Sequence, residues 1–243
     1  MSSQTIKELV ERKSVRVFTK RKISKKNKNI IFEAAINAPT AGNMQLYSII
    51  DVTDNEIKEK LSVYCDNQPF IRDAKMVLVF LADYQKWYEG FKYCGCKPRH
   101  PSYGDLQIST VDATIAAQNA VTAAWSLGIG SCYIGDIIER HDDVCKLLNL
   151  PNYAIPACMV VFGYPAKKQL LRNKSKRVNL EYTVFENKYH KLSKQDTKKM
   201  FIDKAPKGMY ESWMKAFYKR KYNSDFSIEM SKSMKKYLKK YDE

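Results

Sequence analysis

The 243-residue sequence contains no run of about 18 apolar residues, the length a helix needs to cross a bilayer. Its first residues are polar where a secretory leader needs an apolar stretch, so a soluble, unexported, cytoplasmic protein is expected. Several catalytic signatures are also missing: there is no GxSxG elbow, no P-loop and no GxGxxG fingerprint. Without a Rossmann fingerprint, any nicotinamide would bind only transiently. Cys94-Gly95-Cys96 followed by His100 is composed like a metal site but lacks a second paired cluster, so no metal is expected. Several of the six cysteines stand in apolar segments where a reduced thiol serves as a small hydrophobe, which favours free thiols over disulfides.

Acidic residues are scarce in one part of the chain only. The formal charge of +16 divides unevenly: residues 1–164 carry 20 Lys or Arg against 17 Asp or Glu, and residues 165–243 carry 22 against 9. The C-terminal lysines are spread along helix candidates, a pattern that suits a solvated face. They could also attract anionic nicotinamide dinucleotides, or make residues 191–243 a module for nucleic acid or an anionic surface; nucleic acid is the less favoured partner. With 44% hydrophobic residues the chain can form a sizeable core.

Periodicity predicts a short amphipathic helix around Ile6, Leu9 and Val10, and a second helix between Asn27 and Asn37, stopped by Pro39. Leu46 to Val52 reads as a strand, Asp54 as the cap of a helix through Leu61, and Met76 to Ala82 as a buried strand. Lys86 to Asp105 has no clean period and reads as a surface excursion. The alanine-rich stretch from Ile108 to Leu127 is the longest helix candidate, ended by Gly128. Asp142 to Leu148 forms another helix, Ile155 to Phe162 a second apolar strand, and Tyr210 to Tyr222 and Ser227 to Tyr241 two C-terminal helices. The mixture is an α+β pattern. The expected division is a domain over residues 1–190 and a basic helical extension over 191–243 that packs on the core or on a partner subunit.

Three stretches carry chemistry. Arg12-Lys13-Ser14-Val15-Arg16 packs three cations around a hydroxyl in a region of nearly balanced charge, and guanidinium groups can fork onto a phosphate. Ala38-Pro39-Thr40-Ala41-Gly42-Asn43-Met44-Gln45 is almost uncharged and rich in small and amide-bearing side chains that can read a polar, planar edge. The third is Gly128-Ile129-Gly130-Ser131-Cys132-Tyr133-Ile134-Gly135. In this order, over residues from about 4 to 190, they resemble the nitroreductase family of FMN-dependent oxidoreductases, in particular its larger NAD(P)H-dependent subgroup.

The resemblance implies an α+β fold with a central mixed, mostly antiparallel sheet flanked by helices, and a homodimer with FMN at the subunit interface. It places Arg12 and Ser14 on the flavin phosphate, with Lys13 beside them, and Arg16 near the pyrimidine ring, where a cation would steady charge arriving at N1 and O2. Gln68 falls where the family has an amide on the flavin ring. Thr40 is counted with the cofactor-binding residues, Asn43 and Gln45 would reach the flavin partly from the other subunit, and the backbone of Tyr133, Ile134 and Gly135 would lie against the ring. Asp136 departs from the family's pattern. Lys176 and Arg177 would close the phosphate clamp, with Arg172 and Lys174 as alternative registers. The implied activity is ping-pong hydride transfer through flavin N5, from NADPH or NADH to a nitroaromatic, quinone or similar small electron-poor acceptor. Dehalogenation, flavin reduction and flavin fragmentation are alternative reactions of the same scaffold.

Overall fold

The computed structural model describes residues 3–242. In chain order the named elements of its first part are α1 (Gln4–Glu11), α2 (Lys25–Ile36), β1 (Tyr47–Asp51), α3 (Asn55–Tyr64), α4 (Pro69–Asp73), β2 (Met76–Asp83), α5 (Gln85–Tyr93), α6 (Tyr103–Ser126), β3 (Gly130–Ile134), α7 (His141–Leu148), β4 (Ala154–Gly163) and α8 (Lys167–Leu171). They are followed by α9 (Lys194–Ile202), α10 (Tyr210–Lys221) and α11 (Asp225–Leu238). The four strands form one sheet in the order β1-β2-β4-β3, antiparallel at every step. One parallel bridge, Ser14 to Ser131, lays the chain after α1 beside β3.

The continuous apolar runs of β2 and β4 follow from their central places, since both faces of each strand are covered. Alternate residues divide between two cores. Met76, Leu78, Phe80, Val160 and Phe162 face the alanines of α6 and the apolar side of α2. Val77, Val79, Leu81, Met159 and Val161 face Leu61 of α3, Ile71 of α4 and Val144 of α7. Pro156 cannot donate to the ladder, and the register slips beside it: Phe80 pairs with Cys158 but Leu81 with Pro156. All six cysteines are free thiols, with Cys65, Cys132 and Cys158 buried as hydrophobes.

Residues 85–93 and the start of the long helix differ from expectation. Residues 85–93, expected as irregular surface, form α5, held by the Trp87 indole N–H donating to the Met44 carbonyl at 2.7 Å; Gly90 and four aromatic residues hide its period. The long helix begins at Tyr103, well before Ile108, because Asp105 Oδ2 accepts the Ser102 N–H at 2.8 Å and Asp105 also holds the Arg99 guanidinium.

The chain forms two compact units, residues 1–172 with 229–243, and residues 173–228. Residues 229–242, within the basic C-terminal segment, cluster with the first unit. Tyr237 and Tyr241 are buried in a third cluster with Ala82, Leu106, Tyr153 and Ile155. In the second unit, Lys198 of α9 pairs with Glu211 of α10 at 2.8 Å, and Trp213 packs on Phe217 with ring centroids 5.3 Å apart. Among the described residues no helix is long and apolar enough to cross a membrane.

Candidate functional site

Residues 12–19 form a strap across the ends of β3 and β4. The Val15 N–H donates to the Ser131 carbonyl (2.9 Å), the Thr19 N–H to Tyr164 (2.8 Å), and the Ala166 N–H to Val17 (3.0 Å). Val15 is fully buried over Gly130, and the Phe18 ring lies over Gly163. These two glycines matter for close approach: a Cβ at Gly130 would stand 2.6 Å from Val15 Cγ2, and one at Gly163 would stand 2.7 Å from Phe18 Cδ1.

The strap's cations have different environments. Lys13 Nζ donates to the carbonyls of Leu170 and Arg172, both at 2.6 Å, so it fastens the strap to the C-terminal end of α8. Arg172 returns a hydrogen bond to the Ser14 carbonyl at 2.7 Å. Of the two alternative registers to Lys176 and Arg177 for the distant clamp, Arg172 is thereby brought to the cluster; Lys176 and Arg177 lie exposed in the second unit. Arg12 caps α1 through its backbone, and its Nη1 is buried with no hydrogen-bond partner. The Arg16 N–H is taken by Gln169 Oε1 at 3.1 Å, while its guanidinium carbon stands 5.9 Å from the Phe70 ring centroid. Arg12, Ser14 and Arg16 converge on Cys132: burial pushes that thiol up, opposed by the two guanidinium charges and by hydrogen bonds from Ser14 and Arg16.

Gln68 faces the same region from the start of α4. Its Nε2 donates to the Cys65 carbonyl at 2.8 Å and to Asp136 Oδ2 at 2.6 Å, which spends both amide hydrogens and leaves Oε1 to accept. Asp136, whose role the sequence left open, therefore orients this carboxamide. Tyr133 and Ile134 close β3; the Tyr133 hydroxyl donates to Gln118 Oε1 at 3.3 Å. Gly135 has ordinary backbone angles (φ −77), and a Cβ there would meet nothing within 4 Å, so open space adjoins it.

Thr40, Asn43 and Gln45 form a separate group after α2. Asp112, buried on α6, accepts the Ala41 N–H at 3.0 Å and the Leu46 N–H at 3.2 Å, pinning both ends of their loop. Asn43 and Gln45 have positive φ (57 and 49). Thr40 Oγ1 accepts the Gln45 N–H, and Gln45 Nε2 returns to the Ile36 carbonyl at 3.1 Å. Among the described residues no hydrogen bond or ion pair joins this group to the strap. Beside it, Ile108 and Val111 of α6 are 44% and 45% exposed, lining a shallow concavity with Pro39, Thr40 and Ile115.

The sequence reading missed Asp112, Gln169 and Phe70. Of these, only Asp112 left a signal, as a carboxylate amid alanines on a helix otherwise small and apolar.

A four-stranded antiparallel sheet, clasped by helices and crossed by a cationic strap at its β3 edge, defines a small class of α+β proteins. The nitroreductase family model matches residues 9–164, and the chain belongs to that family. It is 33% identical over 193 residues to the FMN reductase (NADPH) of Bacillus subtilis, covering 77% of this chain and 75% of the relative. It is 31% identical over 194 residues to the oxygen-insensitive NADPH nitroreductase of Salmonella typhimurium, covering 79% and 78%. The fold superposes with a TM-score of 0.79 on the NADPH:FMN oxidoreductase of Vibrio harveyi solved with NAD+, at 26% identity and 98% coverage of both chains.

Proposed function

We propose that this protein is an FMN-dependent, NAD(P)H-consuming oxidoreductase that reduces nitroaromatics, quinones or similar electron-poor acceptors. The observation that carries the reading is the buried, unpartnered Nη1 of Arg12 beside Ser14 and Arg16. A buried guanidinium N–H group without an acceptor costs free energy that an anion would recover, and a flavin phosphate is such an anion. The names of the relatives, flavin reductases and nitroreductases, support the same reading.

In this reading Arg12 and Ser14 hold the phosphate, while Lys13 fixes the strap that presents them. Arg16 supplies positive charge where negative charge develops on the pyrimidine ring. Gln68 offers Oε1 to a ring N–H, and the backbone of Tyr133, Ile134 and Gly135 borders the space left open at Gly135. Thr40, Asn43 and Gln45, which no hydrogen bond joins to the strap among the described residues, complete the site from a second copy of the chain across the apolar face of Ile108 and Val111. When bound, FMN supplies hydride exchange at N5, taken from NADPH or NADH in one half-reaction and passed to the acceptor in the next. Six free thiols fit a reducing cytoplasm.

The test is direct. The purified protein should be yellow, or become so on titration with FMN, and should turn over NADPH or NADH faster when a nitroaromatic, a quinone or free flavin is added. A colourless protein that FMN cannot reconstitute overturns the reading.

A further inference from the structure

Of the six thiols, Cys94 and Cys96 alone are exposed, and a single residue separates them. They stand where α5 ends. The Cys94 N–H donates to the Gly90 carbonyl at 3.2 Å and the Cys96 N–H reaches back to Phe91 at 3.0 Å, while Gly95 between them turns at φ 78. This helix-ending turn fixes the two cysteines side by side. Two residues of chain separate Cα atoms by at most about 7 Å, the bend at Gly95 shortens that, and a disulfide spans about 4.4–6.8 Å. The pair is within reach of an internal bond.

Cys96 also borders a cleft of about 310 Å³, lined by Tyr84, Tyr88 and Phe91 together with Lys97 and Arg99. Cys94 does not line it. Residues 92–99 contain Lys92, Lys97 and Arg99 and no acid, so the approach to Cys96 is cationic. Arg99 is anchored by both oxygens of Asp105, yet its side chain is 68% exposed. Lys92 Nζ lies over the Tyr88 ring, 5.2 Å from the centroid. His100, which completes the metal-like composition of this stretch, is engaged elsewhere: its Nδ1 shares a hydrogen bond with the Tyr153 hydroxyl at 2.8 Å. Among the described residues no three His, Cys, Asp or Glu side chains are grouped to hold a metal ion.

We propose that Cys94 and Cys96 form a thiol-exchange site for small acidic disulfides of the glutathione class, with Cys96 the attacking sulfur and Cys94 the resolving one. Nothing in this chemistry depends on bound FMN. The Cys96 thiolate attacks one sulfur of the ligand's S–S bond, forming a mixed disulfide and releasing the first small thiolate. The Cys94 thiolate then attacks the Cys96 sulfur, which forms the internal disulfide and releases the second. Two electrons pass from the cysteine pair to the ligand, and the two protons of the cysteine thiols balance the two small thiols released. The cations beside Cys96 draw the ligand's carboxylates into the aromatic cleft, which gives Cys96 the first attack. Cys94, outside the cleft, is left to resolve.

The experiment exposes the reduced full-length protein to glutathione disulfide and follows intact mass and the cysteine-containing peptides. Wild type should lose two hydrogens, with Cys94 linked to Cys96, and retain no glutathione. Cys94→Ser should trap one glutathione on Cys96, whereas Cys96→Ser should react about tenfold more slowly at Cys94, the low end of what a steering field contributes. Lys97→Glu should slow oxidation by glutathione disulfide about fivefold, the upper range for one exposed charge contact, and leave oxidation by uncharged hydroxyethyl disulfide unchanged. Stable glutathione adducts on wild type overturn the pairing, and equal rates for the two serine variants overturn the order of attack. Equal rates of Lys97→Glu and wild type with glutathione disulfide remove the cationic cleft. No reaction at either cysteine overturns the site as a whole.

Discussion

Gly130 and Val15 stand so close that a methyl group on the glycine would lie 2.6 Å from Val15 Cγ2 and 2.8 Å from its Cβ. The strap that carries Arg12, Ser14 and Arg16 can lie on β3 only because this position has no side chain. Gly130→Ala should therefore lift the strap, costing about 1–3 kcal/mol, the usual penalty of overpacking. Urea unfolding should register the loss, and FMN retention should fall with it; a variant as stable as wild type would show that the strap is not seated by this contact.

The strap's three cations should separate by experiment. Arg12→Ala removes the guanidinium group whose buried Nη1 has no partner and should weaken FMN binding about 10- to 100-fold, the range for losing a charge-assisted hydrogen bond. Arg16→Ala should weaken binding and also slow flavin reduction by nicotinamide, because its charge is assigned to the ring. Lys13→Ala should lower thermal stability through the lost bonds to Leu170 and Arg172 and affect binding only through the strap. Stopped-flow reduction beside equilibrium titration checks all three; equal reduction rates for Arg16→Ala and wild type would remove Arg16 from the ring.

Much of the scaffold was legible because its signals are local. The apolar runs of β2 and β4, the Asp54 cap and the alanine period of α6 each declare an element within about ten residues of sequence. What escaped is long-range. Nothing near Lys13 announces that its ammonium will be spent on carbonyls 157 and 159 residues away, and nothing near Glu139 announces that Ser233 of the last helix will close over its turn. The N-terminus of α6 was misplaced for a smaller reason: Tyr103 and Gly104 are poor helix formers, and the boundary is set by Asp105 bonding back to Ser102.

Asp112 holds the loop of Thr40, Asn43 and Gln45 by accepting two backbone N–H groups at its ends. Asp112→Ala would leave these donors without their acceptor and should destabilise the protein by about 2–5 kcal/mol, about 1–3 for each lost partner with partial compensation. Asp112→Asn retains one acceptor oxygen and should fall between. The order wild type, Asn, Ala in chemical denaturation checks this; equal stability of the two variants would mean the loop is held elsewhere.

Stability should also depend on pH through Glu139. Burial shifts its folded-state acidity from the ordinary 4.5 up to about 7, so between these values the folded chain keeps a proton that the unfolded chain has lost. Stabilisation from this group is complete below about 4.5 and is lost as pH rises through about 7. Differential scanning calorimetry should show Glu139→Gln with a flatter decline than wild type over that window, and parallel profiles would assign the wild-type slope to other groups.

The last prediction concerns the second copy of the chain. Ile108 and Val111 lie one turn apart on α6, nearly half exposed, beside the loop of Thr40. Leaving this face to water is unfavourable by about 25 cal/mol for each Å² of apolar surface, a cost that pairing with a second copy removes. Val111→Arg places a charge at its centre and should convert a dimer to a monomer in light scattering, with little change in secondary structure. If Asn43 and Gln45 act from the partner, the monomer should also lose FMN, although Arg12, Ser14, Arg16 and Gln68 are untouched. A monomer that binds FMN as tightly as wild type would confine the site to one chain and return those amides to the role of stabilising their own loop.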